Sequence, residues 1–166
     1  MPEIVIVREA KIEDCKEIWE WWNDPVTRKM MKKNDYVPWE EHCEWFNKVL
    51  TDNKRILCVG LVNDQKIGVV RFDLKTGKIY EVSINLNPVF RNRGYGSIFM
   101  KESIRYLSKI RDVKRLFAML KKVNIPSKKT FEKAGFIIVN NPKEKYSGME
   151  QFLPETEYYC ELILDK

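Results

Sequence analysis

The chain has 166 residues, 30 of them Lys or Arg, 24 Asp or Glu and one His, for a formal charge of +6. That length suits one domain, here residues 1–166, and 44% hydrophobic residues exclude a disordered chain. No stretch approaches the roughly 18 uninterrupted apolar residues of a membrane span, and the N-terminus lacks the basic region and apolar run of a signal peptide, so a cytoplasmic protein without membrane contact is expected.

Residues 3 to 8 alternate and are β-branched, which predicts a strand. From Lys11 to Asn23 the pattern turns helical, with Ile12, Cys15, Trp19 and Trp22 on one apolar face. Asn23-Asp24-Pro25 stops that helix and starts a second. Pro38 opens a third, with Trp39, Cys43, Phe46 and Leu50 in one stripe and His42, Trp45 and Val49 beside it. Trp21 and Trp45 fall off the main stripes and are candidates to stack on a sugar or base.

Ile56 to Val62 and Ile67 to Leu74 are predicted strands around an Asn63-Asp64-Gln65 turn, and Thr76-Gly77 leads into a third strand, Ile79 to Leu86. In that strand Glu81, Ser83 and Asn85 share one face. A helix follows over 94 to 110, then a strand at Arg115 to Leu120 and a helix from Asn124 to Ala134 that ends at Gly135. Phe136 to Val139 and Tyr158 to Leu164 close the set, around a polar loop at 140 to 156.

The charge is uneven. Residues 91 to 133 hold thirteen basic and three acidic residues, a net +10, while the flanks are slightly acidic. Such a segment attracts a polyanion. It opens with Arg91-Asn92-Arg93-Gly94-Tyr95-Gly96-Ser97, between a strand and a helix. Two glycines let the backbone approach a ligand closely, and the unpartnered first amides of the helix, with its dipole, form a phosphate cradle. Arg91 and Arg93 can fork onto phosphate oxygens. The third glycine of a dinucleotide fingerprint is absent, as is the Gly-Lys-Ser/Thr of a Walker loop. Cys15, Cys43, Cys58 and Cys160 are scattered and read as reduced thiols; with a single His, no metal site is expected.

Arg91-x-x-Gly94-x-Gly96 resembles the R/Q-x-x-G-x-G/A signature of the GNAT acyltransferases, and Asn124-x-x-Ser127-x-x-x-Phe131-Glu132-Lys133-Ala134-Gly135-Phe136 is similar to a second motif of that family. The order of elements agrees over nearly the whole chain. The resemblance implies an α/β fold: a mixed, mostly antiparallel sheet of six to seven strands, splayed in the middle and flanked by four to five helices. It implies an acetyl-CoA-dependent N-acetyltransferase without a metal, acting directly on a primary amine. Pantetheine would lie along the backbone of Ile84, Leu86 and Asn87. Pyrophosphate would rest on Arg91, Asn92, Arg93, Gly94, Tyr95, Gly96 and Ser97, with Asn124, Ser127 and Phe131 along the rest of the cofactor. Phe131 stands where relatives carry the Tyr that protonates the leaving thiolate.

Glu81 is the first candidate base and His42 the second. The segment from Trp21 to Arg28, with Pro38-Trp39-x-x-His42, resembles two branches: PseH-like enzymes, which acetylate a nucleotide-linked amino sugar, and RimJ/RimL-like enzymes, which acetylate protein N-termini. The first places His42 at the acceptor, and Arg28, which could pair with a nucleotide phosphate, and Trp39 are further candidate acceptor contacts. A small-molecule acceptor, no nucleic acid, and a monomer or homodimer are expected. A small-molecule amine acetyltransferase and a catalytically impaired CoA-binding module are the further alternatives.

Overall fold

The computed structural model describes residues 3–31, 35–140 and 157–164. Among the described residues, seven strands form one sheet: β1 Ile6–Glu9, β2 Arg55–Val62, β3 Gln65–Thr76, β4 Ile79–Leu86, β5 Arg115–Lys121, β6 Ile137–Val139 and β7 Glu157–Ile163. Their spatial order is β1-β2-β3-β4-β5-β7-β6. Only β4 and β5 run parallel; the other neighbours are antiparallel. The β2–β3 hairpin turns on two residues, Asn63 and Asp64, both with positive φ. Gln65, expected in the turn, already belongs to β3.

Five α-helices among the described residues flank the sheet: α1 Cys15–Trp22, α2 Pro25–Met30, α3 Trp39–Thr51, α4 Tyr95–Ile110 and α5 Ile125–Lys133. The sheet alternates side chains between two apolar layers. Val70, Phe72, Tyr80, Val82, Leu116 and Ala118 pack against Phe99, Met100, Leu107 and Phe131 of α4 and α5. Leu57, Val59 and Val69 on the opposite face pack against Cys15, Ile18 and Trp21 of α1 and Phe46 and Val49 of α3.

The face of the first helix differs from expectation. Residues Ile12–Asp14 form a 3-10 turn, and α1 starts only at Cys15. The buried stripe is Cys15, Ile18 and Trp21, while Ile12 is exposed. Trp21 is thus a core residue, unable to stack on a ligand. In α3 the buried residues are His42, Phe46 and Val49, with Trp39 and Leu50 exposed. Most of the polar loop expected at 140 to 156 lies outside the described residues.

Near the start of α1, the Asp14 carboxylate is buried beneath Arg8 and Lys66. Arg8 Nη1 and Nη2 donate to it at 2.7 and 3.0 Å, Lys66 Nζ stands 2.8 Å away, and the Lys11 amide donates at 2.8 Å. Burial pushes the Asp14 pKa up, but the hydrogen bonds from Arg8 and Lys66 outweigh it and hold the group well below the usual carboxylate range.

Candidate active site

β4 and β5 pair over only three positions, Ile79 with Arg115, Tyr80 with Leu116 and Glu81 with Phe117. Beyond Glu81 the strands part, and a cleft of about 970 Å³ opens through the gap. The Asn87 amide donates to Ile67 of β3 at 2.8 Å. The Asn85 carbonyl also faces β3, since a Cβ on Gly68 would stand 2.6 Å from it. Alternation then turns the backbone N–H and C=O of Ile84 and Leu86 toward the gap, where an added strand finds partners.

Asn87, expected beside the cofactor, serves the turn. Its Nδ2 donates to the Lys66 carbonyl at 2.9 Å, and its Oδ1 accepts from the Val89 amide at 3.3 Å. The chain then passes through positive φ at Asn92 (60°) and Gly94 (81°) into α4. Gly94 caps α4 without a side-chain bond, and the first turn carries no acid. The leading amides therefore face solvent uncapped, where the dipole favours an anion. A Cβ at Gly94 would meet nothing within 4 Å, so the space above the turn is open. At Gly96 a Cβ would stand 2.8 Å from Thr130 Oγ1, and this missing side chain lets α4 and α5 approach. The turn fits a pyrophosphate on its backbone.

Its arginines are placed differently from expectation. Arg91 Nη1 donates to Asp24 Oδ2 at 2.8 Å and Nη2 donates to the Thr27 hydroxyl, so the guanidinium reaches α2. Thr27 Oγ1 donates onward to Asn85 Oδ1 at 3.3 Å. The Arg93 guanidinium lies 5.1 and 5.5 Å from the Phe90 and Tyr95 ring centroids. Tyr95 is itself buried and donates its hydroxyl to Glu3 at 3.0 Å. Ser97 follows in the first turn of α4, partly buried.

Across the gap, Asn124 caps α5 by accepting the Ser127 amide at 3.2 Å. Asn124, Ser127, Thr130 and Phe131 line the cleft together with Ile84, Leu86 and Arg91. Phe131 is buried and packs edge-on to Phe136. It presents a ring with no donor.

Glu81 lines the cleft, with Lys75 Nζ 3.2 Å from its carboxylate. His42 does not line it. The ring is 3% exposed and packs against Phe46 and Trp45. Nε2 lies 3.0 Å from the Cys15 carbonyl; because that oxygen only accepts, the proton sits on Nε2. Burial lowers the His42 pKa, and the bond to Cys15 offsets this only in part, which keeps the ring neutral. Trp39 opens instead onto a separate small cavity of about 210 Å³ with Cys15 and Cys43. Arg28 lies on α2, outside the cleft lining.

The rest of the cleft is lined largely by residues that sequence patterning did not single out. Trp22, Tyr36 and Trp45 line it with Arg71, Asp73, Asn85 and Glu157, and Arg71 lies 5.7 Å from the Trp45 ring centroid. Trp45 was visible as a tryptophan off its stripe, and Asn85 as a polar residue on the Glu81 face. Thr27 and Glu157 carried no local signal.

The family model for the acetyltransferase (GNAT) domain matches residues 5–137. Acetyltransferase PseH of Campylobacter jejuni subsp. jejuni serotype O:23/36 (strain 81-176) is 28% identical over 138 residues, covering 83% of this chain and 86% of that protein. The crystal structure of Campylobacter jejuni N-acetyltransferase PseH in complex with acetyl coenzyme A superposes with a TM-score of 0.71 at 21% identity, over 98% of this chain and all of that one. Spermidine N-acetyltransferase from Vibrio cholerae, in complex with CoA and spermine, reaches 0.79 at 16% identity, over 96% of this chain and 95% of that one.

Proposed function

The chain belongs to the GNAT acetyltransferase family, and we propose that the amine it acetylates is an amino group on a nucleotide-linked sugar. It is an acetyl-CoA-dependent N-acetyltransferase. The observation that carries the acceptor reading is the acceptor wall itself: Trp22, Tyr36 and Trp45 offer flat apolar faces beside Arg71, Asp73, Glu81 and Asn85. Aromatic faces with polar groups at their edges suit a sugar ring. The likeness to PseH over most of the chain supports the same reading.

The residues divide the work along the cleft. Ile84 and Leu86 receive the pantetheine arm through their backbone, Asn124 and Ser127 flank it, and the amides from Arg91 to Ser97 hold the pyrophosphate. Acetyl-CoA, when bound, supplies an activated acetyl thioester. The chain positions the amine against it and takes up a proton. At pH 7 an alkyl amine of pKa near 10.4 loses its proton at a cost of about 4–5 kcal/mol, and an amine near 8 at about 1–1.5 kcal/mol. Glu81 is the proton acceptor, through water. His42 has no part in it, because its ring is buried in the core and does not line the cleft.

Thiol release from acetyl-CoA tests the acceptor directly. A UDP-linked amino sugar should turn over with a kcat/KM at least 100-fold above that for spermidine or a peptide N-terminus. Equal or higher efficiency with either of the others would refute the sugar reading.

A further inference from the structure

Glu157 opens β7 and is 7% exposed, yet its Oε2 has no hydrogen-bond partner among the described residues. It lines the cleft. Its cross-strand neighbour is Lys121 of β5. Directly opposed residues project to the same face, and Phe117, Met119 and Lys121 alternate onto the face that Glu81 shares through its register with Phe117. Leu116, Ala118 and Leu120 take the other face, into the α4–α5 core. Glu157 and Glu81 therefore belong to the same side of the sheet, on opposite arms of the splay.

Two other carboxylates on that face, Glu81 and Asp73, have basic partners. Lys75 stands 3.2 Å from Glu81, and Arg71 3.0 Å from Asp73. Lys121, the base nearest Glu157 in register, turns its Nζ to the Lys29 carbonyl at 3.1 Å. A carboxylate nine-tenths removed from water is destabilising unless a donor meets it. An acceptor amine entering the cleft is protonated at neutral pH, and brings that donor.

We propose that Glu157 is an acceptor-binding residue, whose free carboxylate oxygen takes the ammonium of the incoming amine on the wall opposite Glu81. This rests on the reading that the cleft takes an amine acceptor, but not on which amine.

Glu157→Gln keeps the size and one acceptor oxygen while removing the charge. Three amines serve as probes: a UDP-linked amino sugar, spermidine and an alanyl dipeptide. For whichever the wild type turns over best, the variant should raise the amine KM at least tenfold. Its kcat should stay within threefold and its acetyl-CoA affinity unchanged. Its melting temperature should equal or exceed the wild type, since an unpaired buried charge is removed. An unchanged KM overturns the proposal, as does a fall in kcat alone or a parallel loss of acetyl-CoA affinity. A melting temperature more than about 2 °C lower also overturns it, because it reveals a structural partner. If all three amines prove inert, the thermal result alone decides. If spermidine or the peptide is preferred, the sugar reading fails while the Glu157 result still stands.

Discussion

Two substitutions at Gly94 separate backbone strain from ligand occlusion. Gly94 has φ +81°, and a Cβ there would meet no atom within 4 Å. Alanine therefore adds no clash; it adds the left-handed penalty of an L-residue, about 1–2 kcal/mol. For a chain of this length that lowers the melting temperature by about 2–8 °C. Tryptophan carries the same penalty, but its indole also covers the uncapped amides of the turn. Charge-assisted hydrogen bonds contribute about 1.5–3 kcal/mol each, so losing two weakens acetyl-CoA by more than about 100-fold. Thermal melts with titration calorimetry for acetyl-CoA should show similar melting temperatures for Gly94→Ala and Gly94→Trp, with binding abolished only in the second. Near-normal affinity in Gly94→Trp would refute the placement of the pyrophosphate on this turn. Equal loss in both would show that backbone conformation alone is responsible.

Asp14→Asn should lower stability by about 3 kcal/mol, because it leaves Arg8 without its carboxylate partner and Lys66 with Glu17 alone; a melt at neutral pH checks this. Asp14 binds fewer protons folded than unfolded. Its stabilisation is therefore full above the unfolded value of about 3.9 and is lost as pH falls below it, and the variant should flatten that acid limb of a stability–pH curve. His42 is also lowered, so stability should first decline as pH drops below about 6.5, a step that His42→Gln removes. Glu81→Gln should cut kcat by at least about 100-fold at constant melting temperature, whereas His42→Ala should cost about 1–3 kcal/mol of stability and leave kcat within threefold.

The sheet and the turn were legible because each leaves a local mark. Alternation marked the strands, and a strand, two glycines and a helix in succession marked the cradle. The tryptophans were not legible, since spacings of three and four are equally helical. Cys15-Trp19-Trp22 and Cys15-Ile18-Trp21 cannot be told apart until the 3-10 turn over Ile12–Asp14 fixes the entry angle. His42 misled for a different reason. A lone neutral-range ring on an early helix reads as chemistry, but its partner is a carbonyl 27 residues away. Glu157 lay hidden because its significance depends on which arm of the splay it joins, and that is set by pairing with Lys121 across the sheet.

The basic third of the chain holds the fold as much as it draws in a ligand. Arg91 draws Thr27 of α2 and its cap Asp24 onto the signature turn; burial raises the Asp24 pKa, but the hydrogen bond from Arg91, with those from the Thr27 and Val26 amides, brings that carboxylate below its usual range. Lys121 draws the end of the same helix, through Lys29, onto the end of β5. A helix of only six residues has little stability of its own, and here it is fastened to both arms of the splay. Side-chain charge thus holds α2 over the gap, while the uncapped turn presents backbone amides and the positive end of the α4 dipole. Of the two glycines, Gly94 keeps the turn open and Gly96 lets α5 approach α4, while Arg91 reaches away from the turn to α2.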